Sequence, residues 1–143
     1  MKKPNTSAFT LLELMITLAI VAALAVLAVP SYHSHVARTH RLDAASALFR
    51  AAQFVEGAAG DSLIALPSGL DQAPQSGVAI YRLHVLPADE TNGGYSIEAA
   101  PSESGPMQDD ACGTFTLDAT GLRGNKTVSN GSTPPSAECW NTS

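Results

Sequence analysis

The chain has 143 residues, enough for one small domain beside a long helix rather than two full domains, and its formal net charge is −5. An acidic balance of this size argues against a nucleic-acid partner, which should meet a basic surface. Two cysteines are too few for a metal centre made of thiols alone, and no catalytic or phosphate-cradling motif stands at a known spacing, so neither an enzyme, a metal nor a cofactor is expected.

Met1 to Ala8 is short and polar and carries Lys2 and Lys3. Phe9 to Val29 then forms an apolar run of 21 residues with a single ionisable side chain, Glu13. At about 1.5 Å per residue such a run makes a helix of roughly 30 Å, enough to cross the hydrocarbon core of a bilayer. A carboxylate inside that span costs roughly 2.5–3.5 kcal/mol, which marks it as functional and calls for a partner. No Lys, Arg or His follows before His33, so the partner must come from elsewhere. An α-amino group created by cutting before Phe9 would supply a positive charge in the right layer. Lys2 and Lys3 place the N-terminus in the cytoplasm and the bulk of the chain outside.

The same N-terminus also fits a secretory signal cut before Val29, or an uncut anchor. Against the first, an apolar core of about 19 residues exceeds the usual ~7–15, and Glu13 weakens it.

Pro30 ends or kinks the apolar helix. The helical period then resumes: Leu42, Ala45, Leu48, Phe49, Ala52 and Val55 recur at three- and four-residue intervals, with Asp43, Ser46, Arg50 and Gln53 opposite. This half leans one face on a globular head, and residues 9–56 would make a kinked helix about 70 Å long. Gly57 and Gly60 punctuate its end, and residues 57–77 read as a Gly- and Pro-rich loop with short local structure. Tyr81, Leu83 and Val85 alternate with polar residues, as do Tyr95, Ile97 and Ala99, and the Asn92-Gly93-Gly94 turn between them predicts an antiparallel hairpin. Cys112 to Asp118 predicts a third strand and Arg123 to Ser129 a fourth. The fold class is therefore α+β, a long N-terminal helix packed on a small antiparallel sheet.

Ala8-Phe9-Thr10-Leu11-Leu12-Glu13 after Lys2 and Lys3 resembles the N-terminal signal of type IV pilins and pseudopilins. The second half, from Tyr95 to Pro101, Asp109 to Gly121 and Cys139-Trp140, is similar to PilE-like minor pilins of Gram-negative bacteria. The resemblance implies a prepilin leader over residues 1–8, a transmembrane and filament-core helix over 9–29, and a helix continuation with a pilin head over 30–143. It implies cleavage between Ala8 and Phe9 by a prepilin peptidase, N-methylation of Phe9, and a role for Glu13 in subunit assembly. Ala8 departs from the family's preferred glycine at the last leader position. The implied partners are other pilin subunits, the peptidase, the inner membrane and the pilus assembly platform. The protein would rest in the inner membrane with its head in the periplasm, then leave as part of an extracellular pilus serving adhesion, twitching motility or DNA uptake. A type II secretion pseudopilin, and a secreted or anchored ligand-binding protein, stand as alternatives.

Cys112 and Cys139 both lie in the exported part, where oxidation is permitted, and they lack the Cys-x-x-Cys spacing of a redox pair, so a structural disulfide is expected. His33, His35 and His40 are spaced by two, five and seven residues, which does not bring them to one helix face as metal ligands. Asp109 and Asp110 read as a solvated acidic turn. Arg38, Arg41 and Arg50 are the candidate DNA contacts, but residues 57–143 hold ten acidic and three basic side chains, a net of −7 that would repel phosphate.

Overall fold

The computed structural model describes residues 9–58, 65–127 and 135–140. It divides into two compact units, Met1–Val36 and Ala37–Ser143, and one helix, α1 (Leu11–Gly57), contributes residues to both.

In the first unit α1 is exposed on every side, and the apolar window within it has none of its residues buried. Its start is capped by Thr10, whose Oγ1 accepts the Glu13 N–H at 3.3 Å while its carbonyl accepts the Leu14 N–H at 3.2 Å. Thr10-x-x-Glu13 has the form of a capping box, with Glu13 at the third helical position. Thr17 and Ser34 donate their hydroxyls to the carbonyls of Leu14 and Ser31, so neither adds an unmet polar group to the helix surface. Pro30 lies inside α1 and does not end it. It lacks the N–H that would meet the carbonyl of Val26.

In the second unit the helix turns Ala44, Ala47, Leu48, Ala51, Ala52 and Val55 inward; Leu48, Ala52 and Val55 lie where the helical period put them, whereas Leu42 and Phe49, expected on the same face, are exposed, so the buried stripe is carried mainly by alanines. The small alanine side chains let the helix approach a five-stranded antiparallel sheet in the order β1 (Gln72–Ala73), β2 (Tyr81–Leu86), β3 (Ser96–Pro101), β4 (Thr114–Asp118) and β5 (Arg123–Lys126). The strands pair so that inward residues meet inward residues: Leu83 with Ala99, Val85 with Ile97, Ile97 with Leu117, and Ala99 with Phe115. Tyr81, Leu83, Ile97, Ala99, Phe115 and Leu117 join the helix residues in one apolar cluster. Because Phe115 is 0% exposed, its burial alone contributes about 2–3 kcal/mol.

The predicted hairpin and both later strands are present, the fourth as Arg123–Lys126; of the rest of its expected span, Thr127 is not in the strand and 128–129 lie outside the described residues. Two elements were not anticipated: β1, inside the stretch read as a loop, and the short C-terminal helix α2 (Ser136–Trp140). Neither has a hydrophobic period long enough to stand out. β1 is held instead by pairing with Tyr81 and Arg82. In α2, Cys139 is joined to Cys112. Trp140 donates its Nε1–H to the Gly124 carbonyl at 2.9 Å and packs edge-on against Phe115 and Phe49. That indole contact also covers part of the outer edge of β5, where an open strand would invite pairing with another chain.

Two glycines are dictated by geometry. Gly113 has φ +59°, and a Cβ there would lie 2.2 Å from the Lys126 carbonyl oxygen. Gly93 has φ +73°, and a Cβ would lie 2.7 Å from Thr120 Cγ2, so the β2–β3 and β4–β5 turns pack directly on each other. The first turn is organised by buried Asn92, which accepts the Asp89 and Gly94 N–H groups and donates to the Pro87 carbonyl. In the second, Asp118 accepts the Thr120 hydroxyl and the N–H groups of Thr120 and Leu122, which holds its carboxyl below the usual range.

The Cys112–Cys139 bridge closes a loop of sequence separation 27. Replacing both cysteines with Ser should lower the stability of the second unit by about 3 kcal/mol while the first unit keeps its helix, as read by chemical denaturation and circular dichroism of the chain in detergent. Tyr81 supplies a second test. It is 0% exposed and its hydroxyl has no hydrogen-bond partner among the described residues. Burial raises its pKa, so the folded state favours the neutral phenol; that stability is intact below the unfolded value of about 10 and is lost as pH rises above it. Tyr81→Phe should hold or raise the melting temperature at neutral pH and weaken the alkaline loss.

Candidate functional site

Two surfaces carry groups that the fold itself does not use. The first is the N-terminal end of α1. Phe9 is 74% exposed, and the Glu13 carboxylate stands on an exposed helix surface with no partner among the described residues. The Thr10 hydroxyl takes up the Glu13 backbone N–H, but the return arm of the capping box, from the Thr10 N–H to the carboxylate, is not made. The carboxylate is therefore available to a cation from another chain. Ala8, the residue before the expected cut, lies outside the described residues.

The second surface is the outer face of the sheet. The alternation that turns Tyr81, Leu83 and Val85 inward turns Arg82 and His84 outward on β2, and both are exposed. Register sets His84 opposite Glu98 on β3, and Glu98 opposite Thr116 on β4. Lys126, at the end of β5, reaches across β4 and forms an ion pair with Glu98. Arg82 has no ion-pair partner among the described residues. Arg82 and His84 together line two clefts, one of about 540 Å3 that includes Val78 and Glu103, and one of about 410 Å3 that includes Leu66 and Asp71.

The cations expected from sequence are placed differently. Arg41 is engaged by Asp110 in a two-pronged contact, Nε to Oδ2 at 3.0 Å and Nη2 to Oδ1, which raises the pKa of the guanidinium. The Asp110 side chain is 9% exposed. The reading of Asp110 as part of a solvated turn is thus corrected: it ties the loop before Cys112 to the helix. Arg50 donates to the Ser46 hydroxyl on its own helix. Arg123, on the inner side of β5, lies over the rings of Phe49 and Trp140 at 5.1 and 5.7 Å from their centroids. Among the described residues no three His, Cys, Asp or Glu side chains gather in a way that would hold a metal. Arg82 and His84 were not singled out from the sequence as contacts. Their positions in the alternating β2 segment are the signal that identifies them as outward-facing.

Comparison with known families gives two matches. A family described as type IV minor pilin ComP, DNA uptake sequence receptor, matches residues 30–116. The prokaryotic N-terminal methylation motif matches residues 3–29. No curated protein matches the chain. The first match spans more than half of the 143 residues, and the two meet at Pro30, where the apolar half of the helix gives way to the part that carries the head. A pilus subunit is thereby favoured over a secretion pseudopilin or a free ligand-binding protein. The chain belongs to the ComP family of type IV minor pilins, as an α+β pilin subunit of a pilus.

Proposed function

We propose that this minor pilin is made as a precursor with residues 1–8 as its leader, cut between Ala8 and Phe9 by a prepilin peptidase and N-methylated on Phe9. Residues 9–29 then hold it in the inner membrane, N-terminus in the cytoplasm and head in the periplasm, until the assembly platform moves it into the fibre. There, residues 9–29 become part of the filament core and residues 30–143 form the exposed subunit, with Pro30 bending the helix between them. The methylation-motif match over residues 3–29 supports this reading. Glu13 pairs with the α-amino group of a neighbouring Phe9 and sets the axial register. A cation supplied by another chain offsets the cost of placing a carboxylate in the bilayer layer, about 2.5–3.5 kcal/mol.

The fibre-borne head contacts DNA during uptake. The observation that carries this is the match of residues 30–116 to a family described as a DNA uptake sequence receptor. The acidic balance of the head argues the other way, but phosphate contacts are local. On the outer sheet face Arg82 is exposed without an acid partner among the described residues, and His84 stands beside it. A patch this small meets only about two or three phosphates, so the dependence of log affinity on log salt should be shallow, with a slope of roughly −2 to −3. An enzymatic role has no place in this reading, in which the chain binds and assembles.

Two experiments test it. Glu13→Val should leave membrane insertion intact and sharply reduce the subunit in sheared pili, measured by immunoblot of shear fractions beside mass spectrometry of the mature N-terminus. Normal incorporation, or a mature chain that keeps Met1 to Ala8, overturns the assembly reading. For DNA, fluorescence anisotropy of the mature chain in detergent with labelled duplex at about pH 6 and low salt should show binding. Arg82→Ala should weaken it about tenfold and reduce the salt slope by about 1. Absence of binding by the unaltered protein removes the DNA role and leaves the pilus assignment standing.

A further inference from the structure

We infer that His84 is a titratable phosphate contact beside Arg82, so that a proton on its imidazole decides whether the outer sheet face accepts DNA. This rests on the DNA-contact reading of that face. His84 is exposed on β2, two residues from Arg82 on the same side of the sheet, and both side chains line the same two clefts. A phosphate that reaches Arg82 from either cleft is therefore within the neighbourhood of the imidazole.

The charges around His84 make its own charge decisive. Arg82 shares its strand, Glu98 is its register partner on β3, and Lys126 of β5 engages Glu98. Asp71 faces it across one cleft and Glu103 across the other. With the imidazole neutral, two cations stand against three carboxylates, a local balance of −1 that opposes a phosphate. With the imidazole charged, the balance is zero, and two adjacent cations, Arg82 and His84, point outward on the strand. Lys126 contributes by occupying Glu98, which leaves the carboxylate opposite His84 already neutralised. An imidazole can gain or lose this charge while the neighbouring side chains keep theirs. Because bound phosphate favours the charged form, linkage requires that affinity rise as pH falls, by at most one bound proton per site.

The test is a pH series of DNA binding by the mature full-length chain in detergent, using short fluorescein-labelled duplex DNA at constant low ionic strength. Affinity of the unaltered protein should rise about tenfold or more from pH 8 to about pH 5.5. His84→Gln keeps a neutral hydrogen-bonding group and should give a flat profile at the weak, high-pH level. His84→Arg should give a flat profile at or above the strong, low-pH level. His33, His35 and His40 remain in all three proteins, so a dependence arising from them would persist in the His84 variants and overturn the inference. A profile of the unaltered protein that is flat across the range also overturns it, while leaving DNA binding itself in place. If no duplex binds at any pH, the DNA reading fails first and this inference with it.

Discussion

The second unit is organised by one buried layer, in which the alanine-rich face of α1 meets the inward residues of β2, β3 and β4. Its consequences reach the opposite side of the sheet. A strand side chain has period two, so once Tyr81, Leu83, Ile97, Phe115 and Leu117 are committed to the core, their neighbours have no choice of side. Arg82, His84, Glu98, Thr116 and Lys126 form the outer face because slipping β2, β3 or β4 by one residue would expose an aromatic or aliphatic side chain and bury a charge. The outer face is thus a product of the core's register, and its precision is that of the packing behind it.

Charge in this protein is arranged locally. The chain as a whole carries −5, yet its acids serve different purposes. Asp89 and Asp118 organise turns by accepting backbone and hydroxyl hydrogens, Asp110 anchors a loop to Arg41, and Glu98 is engaged by Lys126. Glu56 accepts the Tyr95 hydroxyl, and burial together with that contact pushes the phenol up to about 12. An acid paired with a cation, as Asp110 and Glu98 are, is a weaker deterrent to an incoming phosphate than a bare one. The sum of charges along the sequence therefore says less about recognition than which cations are left uncommitted.

The first unit has the opposite logic. Its helix caps its first turn with Thr10 and bonds its own backbone except where Pro30 leaves the Val26 carbonyl unmet, and its apolar window has none of its residues buried. A helix that is apolar on every side needs lipid or other helices around it, and a carboxylate on that surface needs a cation from outside. On the assembly proposed above, neighbouring subunits answer both requirements, one by their apolar helices and the other by their processed N-termini.

The sequence by itself determined the elements with strong periods: the apolar run from Phe9 to Val29, its single carboxylate at Glu13, the amphipathic half of α1, and the Tyr81–Ala99 hairpin around Asn92-Gly93-Gly94. These follow from local composition and spacing, which need no knowledge of what lies across the core. It also placed Cys112 and Cys139 in one structural pair, because an exported chain with two cysteines has few other uses for them. What only the tertiary structure decided are contacts between residues distant in sequence: Arg41 with Asp110, Lys126 with Glu98, Trp140 on Gly124, and β1 on β2. Such contacts leave no periodic trace. Arg41 and Arg82 look equally free in a linear reading, and the fold commits the first to a nearly buried carboxylate while the register of β2 turns the second outward beside His84. The physical reason is that periodicity encodes which face of an element is apolar, whereas the partner of a charged side chain is set by the three-dimensional meeting of elements that the sequence keeps far apart.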